Sequence, residues 1–402
     1  MKLSTQKKRL MVTILVVALF QMSQLTLNPA IDTVVGVFPG RSIADVQEAF
    51  ALLNFVLPIS GIVSALLINR GLLTKRAAIL LGLVLLGCTG ALSLVLHTEF
   101  WHLRLLSVVF GLAAGLYIVN IASVFFDNFS DEERQPIAGY QTSCINGGGI
   151  VWGLAGGTLC SLVWYGGYLV FLLAFPVAIL AYFTVPKVPR VKPQKRADAP
   201  RVKIKPMVYY YCVILGLFMM LYSVGGSNIS THLTQAGVSN PALAGVAAAL
   251  QMAGGVCCGM FFGKLSPRLG DLLMAVSCLA LVVGFCLLGL FPGSIVIAML
   301  AVFIAGMSLS CTAPRVMFTV STLSNAGNSA MSSALSTSVA PSLGGFISPY
   351  IFTRVTLALF GESTGKRYLF TAAVAAVFGV AIVIATLSRR RRGLTDTGEP
   401  IT

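Results

Sequence analysis

Long stretches without a charged residue alternate with short polar segments along this chain. Four stretches of 21 or 22 residues come first, over 11–31, 49–69, 77–98 and 105–126. Each has the length of one helical membrane crossing, because the hydrocarbon core of a bilayer takes about 20 apolar residues. The pattern predicts one membrane-spanning helix in each.

The later charge-free stretches are longer. Residues 135–186 are broken by VWYGG, 206–263 by SNISTHLTQAGVSN and 272–314 by FPGS, so each predicts two helices. Residues 316–353 hold a polar segment and then one helix, and 368–388 hold the last. The total is twelve crossings. These runs are too long and too uniformly apolar for the alternating strands of a membrane β-barrel.

Composition supports a lipid environment. Of 402 residues, 56% are hydrophobic and only 10% are charged, whereas soluble proteins carry about 25% charged residues. A soluble fold has no interior large enough for this apolar surface. We therefore expect an all-α integral membrane protein of twelve transmembrane helices.

The net charge of +15 follows a topological pattern and does not indicate nucleic-acid binding. With the N-terminus inside, the inner tails and loops carry 22 Lys and Arg residues, and the outer loops carry five: Arg41, Arg104, Arg354, Lys366 and Arg367. Cytoplasmic loops concentrate Lys and Arg in this way. The count predicts a membrane protein with both termini in the cytoplasm and RRRR (389–392) at the membrane surface.

The chain has the organisation of a duplicated protein. The segment PKVPRVKPQKRADAPRVKIKP is too rich in proline and lysine to pack in a core. It predicts an N-terminal six-helix half over 1–186, a basic cytoplasmic linker over 187–206, and a C-terminal half with a basic tail over 207–402. A basic turn recurs in each half, as NRGLLTKR (69–76) and GKLSPRLGD (263–271). Matched halves predict pseudo-symmetric repeats around a central site.

GKLSPRLGD resembles the loop signature of the major facilitator superfamily, Gly-x-Leu-x-Asp-Arg-x-Gly-Arg. Its matching residues are Gly263, Leu265, Arg268 and Gly270, while Pro267 and Asp271 depart from the signature. In NRGLLTKR, Arg70 retains the arginine and Asn69 replaces the acid. The passages FGLAAGLYIVNIASVFFDNFSDEER (110–134) and NGGGIVWGLAGG (146–157) are also similar to this family, and the chain as a whole resembles its bacterial drug-efflux-type members.

The resemblance implies a secondary transporter that works by alternating access. It also implies that the loop arginines latch the outward-open state, with Asp127 as the acid for Arg70. The gating residues expected on this basis are Arg70, Asp127, Gly263, Arg268 and Gly270. The alternative for both loops is a positively charged anchor with a tight glycine turn. We expect Asp271 to pair locally with Lys264 or Arg268.

Helix 1 carries the clearest polar pattern. Gln21, Gln24, Asn28 and Asp32 are spaced 3, 4 and 4 residues apart, which places them within an arc of roughly 80° on an α-helix. Pro29 interrupts the helical hydrogen bonds at the same turn. We predict Asp32 as the proton-coupling acid, because an acid in a membrane helix normally faces a cavity or a partner. The alternative is an acid at the water interface.

Other polar residues within the predicted helices are candidates for substrate binding. We expect a break in helix 7 at Gly225–Gly226, and Arg315 near the inner end of helix 10 either reaches the interface or binds an anionic substrate group. Amides in membrane helices also serve as interhelical hydrogen bonds. The substrate-binding candidates are Gln24, Asn28, Asn54, Tyr117, Asn120, Gln141, Asn146, Tyr222, Asn228, Gln251, Arg315 and Tyr350.

No nucleotide-binding loop is present in the sequence, so ion coupling is the expected energy source. The amides, tyrosines and single acid favour proton-coupled efflux, by antiport, of a moderately hydrophobic or cationic compound. A proton-coupled importer of a sugar or organic acid is the first alternative, and a non-transporting membrane sensor is the second. No convergent acid, base or metal set indicates an enzyme.

The expected partners are a small-molecule substrate, protons and the lipid bilayer, and the protein is expected to act as a monomer without a cofactor. The nine cysteines fall within predicted helices as small packing residues. The three histidines, His97, His102 and His232, lie near predicted outer ends and are expected at the surface.

Overall fold

The computed structural model describes residues 4–187, 204–324 and 329–392. Within these ranges the regular structure is entirely helical. Most of the linker predicted over 187–206, and the tail beyond Arg392, lie outside the described residues. The prediction of an all-α membrane fold is confirmed.

Twelve helices follow one another along the described chain. They are α1 (Thr5–Val37), α2 (Ile43–Asn69), α3 (Lys75–Ser93), α4 (Phe100–Asn128), α5 (Asp131–Leu162), α6 (Gly166–Thr184), α7 (Pro206–Gln235), α8 (Pro241–Leu269), α9 (Leu272–Leu290), α10 (Ile295–Leu323), α11 (Met331–Phe360) and α12 (Thr364–Arg391).

Eleven of these helices are long and apolar enough to cross a membrane, counted over the described residues. The remaining one, α5, has 32 residues, and at about 1.5 Å per residue it exceeds the roughly 30 Å hydrocarbon core. Its glycines and amides make it less apolar than its neighbours. It lies at the fifth predicted crossing, so the twelve predicted helices are all present.

The chain forms two compact units. The first contains the described residues of Met1–Ala197 together with Pro241–Ala249, and the second contains those of Asp198–Asn240 and Leu250–Thr402. The start of α8 belongs to the first unit because Gly245 packs directly against Gly153 and Gly157 of α5.

In the first unit α4 packs against α2 and α3, α3 also packs against α6, and α1 packs against α5. The contact between α2 and α4 depends on glycine. A Cβ atom at Gly115 would overlap the carbonyl oxygen of Leu57, and one at Gly111 would lie 2.8 Å from the carbonyl oxygen of Leu53. Without a strong hydrophobic force between helices in lipid, such close backbone contact drives their association.

The second unit repeats this packing by itself. There α9 packs against α10 and α12, and α7 packs against α11. Glycine again brings two backbones together, because Cβ atoms at Gly254 of α8 and Gly306 of α10 would overlap the carbonyl oxygens of Phe303 and Gln251. The helices α4 and α10 even have the same length, 29 residues. The internal packing of each unit supports the predicted pseudo-symmetry.

Two sequence expectations about helix ends are wrong. The predicted break at Gly225–Gly226 is absent, and α7 continues to Gln235, because a glycine weakens a helix by only about 1 kcal/mol. Likewise α8 passes through Gly263 and Pro267 to Leu269. The turn after it is made by Gly270, whose φ is +58°.

Candidate functional site

The helix α1 departs from α-helical geometry in its second half. Residues Phe20–Thr26 and Asn28–Ala30 form 3₁₀ turns before the α-helix resumes over Ile31–Val37. The backbone at Met22 has φ −107° and ψ 18°, and Pro29 has no amide hydrogen to donate. A 3₁₀ helix has 3.0 residues per turn, so the α-helical geometry used to predict one polar face of α1 does not hold over these turns.

Side chains of α4 and α5 donate hydrogen bonds to backbone carbonyl oxygens along α1. Trp152 Nε1 donates to the carbonyl oxygen of Leu19 at 2.6 Å, and the Tyr117 hydroxyl donates to that of Phe20 at 2.9 Å. The thiol of Cys160 lies 3.6 Å from the carbonyl oxygen of Thr26. These contacts allow a non-α backbone within the membrane, where an unsatisfied carbonyl costs several kcal/mol.

Glycines bring α5 and the start of α6 against the broken segment. A Cβ at Gly148 would overlap the backbone of Leu19, and Cβ atoms at Gly156 and Gly167 would overlap the backbone of Thr26. The glycine-rich sequence of α5 therefore has a specific packing role. It lets one helix lie directly on the irregular backbone of another.

We predict that Trp152→Phe destabilises the protein by about 0.5–1.5 kcal/mol, because it removes the hydrogen bond from the indole N–H to the carbonyl oxygen of Leu19. The measurement is thermal unfolding of the purified protein in detergent. Trp101→Phe is the matched control, since Trp101 is 56% exposed. Equal melting temperatures for the two variants would contradict the role given to the indole N–H.

Half-buried amides of α1, α2 and α5 are the candidate solute contacts of the first unit. They are Gln24, Asn28, Asn54, Gln141 and Asn146. Gln24 has only a 3.7 Å contact between its Nε2 and the sulfur of Met22, and the other four have no side-chain hydrogen bond within the described chain. The space beside Gly147 is also open, since nothing lies within 4 Å of a Cβ placed there. These amides remain available to a ligand.

Two other candidates of the first unit are occupied by the fold. Tyr117 is fully buried and its hydroxyl is used by Phe20. Asn120 is buried and donates to Ser64 Oγ of α2 at 2.6 Å and to the carbonyl oxygen of Leu116 at 2.7 Å. In this structure both side chains serve helix packing.

Two acids of the first unit, Asp32 and Glu48, are partly or fully buried in membrane helices. Asp32 is half-buried in the first turn of the α-helical segment Ile31–Val37. Glu48 of α2 is only 7% exposed, and the sequence analysis missed it because it precedes the charge-free stretch that begins at residue 49. A buried acid in a membrane helix is a functional candidate, so Glu48 joins Asp32.

In the second unit, Tyr222 of α7 is buried beside Gln251 of α8, which is also buried. A Cβ at Gly225 would lie 3.5 Å from Gln251 Nε2, an ordinary van der Waals distance. Tyr350, at the π-helical turn Pro349–Thr353 of α11, is 38% exposed. Of these candidates, Tyr350 alone is exposed.

The expected surface position of Arg367 is wrong. Its side chain is fully buried, with Nε donating to Thr356 Oγ1 at 2.9 Å and Nη1 donating to Asn228 Oδ1 at 2.6 Å. Asn228, a predicted substrate ligand, is thereby used inside the fold. The guanidinium therefore links α12, which carries it, to α7 and α11.

The expected surface position of His232 is also wrong, since it is fully buried on α7. The Thr364 hydroxyl donates to Gln235 Oε1 at 2.6 Å and lies 2.9 Å from His232 Nδ1. Because the hydroxyl has one proton and gives it to Gln235, it accepts from Nδ1. His232 therefore belongs to a polar network between α7 and α12.

A buried ion cluster lies at the turn between α8 and α9. Asp271 is 1% exposed, and its Oδ1 accepts from Arg315 Nε at 3.2 Å and Nη2 at 3.1 Å. Its Oδ2 accepts from Arg389 Nη1 at 3.4 Å and from the Tyr211 hydroxyl. The turn is thus tied to α7, α10 and α12.

This cluster corrects two expectations. Asp271 does not pair locally with Lys264 or Arg268, because the turn at Gly270 directs its carboxylate into the unit. Arg315 neither reaches the interface nor waits for an anionic substrate; its charge is paired with Asp271. The relevant sequence signal was the presence of cations at the inner ends of both α10 and α12.

A comparison with known protein families identifies the superfamily of this chain. The sequence profile of the Major Facilitator Superfamily matches residues 13–349. The chain belongs to the major facilitator superfamily. Curated proteins yield no match, and in the described residues no three His, Cys, Asp or Glu side chains lie close enough together to hold a metal ion.

Solved structures of superfamily-like transporters share this fold. The nucleoside transporter NupG is 14% identical with a TM-score of 0.70, over 95% of this chain and 99% of that one. The POT family transporter PepTSo is 11% identical with a TM-score of 0.72, over 96% and 99%. A bacterial homolog of the human lysosomal transporter Spinster is 15% identical with a TM-score of 0.68, over 96% and 99%.

At these identities the neighbours establish the fold, and with the family they identify this superfamily member as a transporter and not an enzyme. Substrates of the neighbours do not transfer. The bacterial drug-efflux subtype expected from the sequence therefore stays a prediction.

The signature loop of this superfamily member pairs differently from the expectation. Asp127, at the end of α4, pairs with Lys75 Nζ at 2.5 Å and not with Arg70, which is exposed at the end of α2. The glycine turn that places Lys75 at the start of α3 separates Arg70 from the acid. In the second unit Arg268 is exposed in the last turn of α8.

In both units an ion pair links the loop region to the fourth helix of the unit, but with opposite polarity and at different positions along that helix. In the first unit a cation of the loop region, Lys75, meets an acid of α4, and the pair is largely exposed. In the second, an acid of the loop, Asp271, meets a cation of α10 and is buried. Asn120 and Arg315 are each the twenty-first residue of their helices, so the second unit has a charge where the first has an amide.

Proposed function

We propose that this protein is a secondary active transporter that moves a small solute by alternating access. The broken helix α1 carries the proposal. Discontinuous helices expose backbone and polar groups near the binding sites of secondary transporters. Here the break is held by Trp152 and Tyr117, while the nearby amides Gln24 and Asn28 stay half-buried and open to a ligand.

We further propose proton-coupled efflux, by antiport, of a moderately hydrophobic or cationic compound. The candidate contacts of the first unit are neutral amides with the acids Asp32 and Glu48 beside them along the chain. Arg315, the one cation considered for an anionic substrate, is neutralised by Asp271. This pairing favours a cationic or neutral substrate over an organic acid.

The proposal includes a monomer in the bacterial inner membrane with both termini in the cytoplasm, as the distribution of Lys and Arg predicts. The change of access is assigned to the two signature segments and the helix ends beside them. The gating residues are Gly263, Gly270, Arg268, Arg70 and Asp127. Coupling is assigned to Asp32, because it directly follows the broken segment.

The test uses purified full-length protein in proteoliposomes with an imposed proton gradient and a panel of cationic dyes, sugars and organic acids. We expect gradient-driven flux of a cationic dye, abolished in Asp32→Asn and retained at a reduced rate in Asp32→Glu. The two variants differ in whether the side chain can bind and release a proton.

Each other outcome has a definite meaning. Coupled flux that survives Asp32→Asn but is lost in Glu48→Gln moves the coupling role to Glu48. Flux of sugars or organic acids alone would establish the importer. If no solute of the panel shows a flux that depends on the proton gradient, the transporter proposal is contradicted and a sensor is favoured.

A further inference from the structure

A pocket of about 720 Å³ lies at one end of the first unit, between the start of α1, the start of α3 and the end of α6. Its basic lining residues are Arg9, Arg76 and Lys187, and no acid lines it. None of the three cations forms an ion pair with a described residue. The pocket therefore concentrates uncompensated positive charge.

The neighbouring cation differs in this respect. Lys7, two residues before Arg9 on α1, is paired with Glu133 of α5 at 2.6 Å. Its charge is thus balanced within the fold. Those of Arg9 and Lys187, both exposed, remain available for an anion.

Arg76 is held in place within this pocket. Its Nη2 donates to the carbonyl oxygen of Tyr182, and its guanidinium lies 4.7 Å from the centre of the Tyr182 ring. A guanidinium fixed in this way retains further N–H donors in a defined plane, the geometry that suits a phosphate oxygen pair.

The surface below the pocket is apolar. Ile179 and Phe183, one turn apart on α6, are 61% and 79% exposed, and Tyr182 is 51% exposed. Residues four apart share one face of a helix, so an exposed apolar strip leads along α6 to the cationic pocket. Aromatic residues of this kind mark the membrane interface.

We propose that this pocket binds the headgroup of an anionic phospholipid, with the phosphate at Arg9, Arg76 and Lys187 and the acyl chains along the Ile179–Phe183 strip. Basic pockets between membrane helices on the cytoplasmic side bind such headgroups. The proposal uses the predicted orientation, in which this end of the first unit faces the cytoplasm. Inorganic phosphate shares the headgroup chemistry but not the acyl chains, so the apolar strip favours the lipid.

The test is lipid binding by purified full-length protein in detergent, read by native mass spectrometry and by the shift in melting temperature. The probes are dioleoylphosphatidylglycerol, dioleoylphosphatidylcholine and inorganic phosphate. The double variant R9Q/K187Q removes two pocket cations and leaves the structural Arg76 in place. The matched control R391Q/R392Q removes two exposed cations from the end of α12.

We expect phosphatidylglycerol to bind and stabilise the wild type and the control, with about thirtyfold weaker affinity in R9Q/K187Q. Phosphatidylcholine and inorganic phosphate should give no comparable shift. An equal shift with inorganic phosphate would replace the lipid by a soluble anion. Three results would each overturn the proposal. They are an equal loss of phosphatidylglycerol affinity in both double variants, equal binding of phosphatidylcholine to the wild type, and no binding of phosphatidylglycerol.

Discussion

Asp271→Asn destabilises the protein by about 3–5 kcal/mol, because it leaves a buried guanidinium without its counter-charge. Asparagine has one acceptor oxygen where aspartate has two, so an NH2 group faces either Arg315 or the pair of Arg389 and Tyr211. In thermal unfolding of the purified protein, the loss should appear as a decrease in melting temperature on the order of 10 °C.

Asp127→Asn is the matched control in the first unit. It is the same substitution at the acid of an ion pair, but the Asp127 side chain is 51% exposed. Exposed ion pairs contribute about 0–1 kcal/mol, so the control should change the melting temperature by little. A shift equal to that of Asp271→Asn would show that burial does not decide the difference.

The double variant Asp271→Asn/Arg315→Gln separates the ion pair from other effects of the substitution. Removing both partners leaves no unpaired guanidinium at position 315, and replacing both members of a buried pair is far less costly than removing one. We expect the double variant to be more stable than Asp271→Asn alone. A double variant that is less stable than Asp271→Asn would contradict this account.

Gly156→Ala destabilises the protein by about 1–3 kcal/mol or more and lowers transport, because the added Cβ would overlap the backbone of Thr26. A backbone atom cannot rotate away as a side chain does. Either α5 moves off α1 or the 3₁₀ segment shifts. Both displace the half-buried amides Gln24 and Asn28 proposed to contact the solute.

Gly147→Ala is the control for this prediction. It lies on the same helix, and nothing is within 4 Å of a Cβ placed there. Alanine in place of glycine stabilises a helix by up to about 1 kcal/mol, so this variant should be as stable as the wild type or more so. If both variants transport and unfold alike, close packing of α5 on α1 is not what maintains the site.

The sequence predicted only part of the candidate site. Pro29 predicted an interruption of α1, but the 3₁₀ geometry begins at Phe20, nine residues earlier. Part of the explanation lies in other helices, since Trp152 and Tyr117 donate hydrogen bonds to the carbonyl oxygens of Leu19 and Phe20, where this geometry begins. No local pattern in α1 indicates where those donors are.

The amides predicted to bind substrate differ in their access to a ligand for a similar reason. Asn28, Asn54, Gln141 and Asn146 are half-buried without internal hydrogen bonds, whereas Asn120 and Asn228 are buried in hydrogen bonds to Ser64 and Arg367. All are amides in membrane helices. Their chemistry is alike, and their difference in access depends on which residue lies opposite.

By itself the sequence determined twelve membrane helices, their approximate limits and the duplicated organisation. The reason is that a bilayer core requires a run of apolar residues of a given length, and such a run is a local property of the sequence. Only the tertiary structure decided the partners of the charges. Asp271 joins Arg315 and Arg389, which are 44 and 118 residues away, while its neighbours Lys264 and Arg268 lie on the exposed side of α8. The reason is that an ion pair depends on distances across the folded unit, which a run of adjacent residues does not specify.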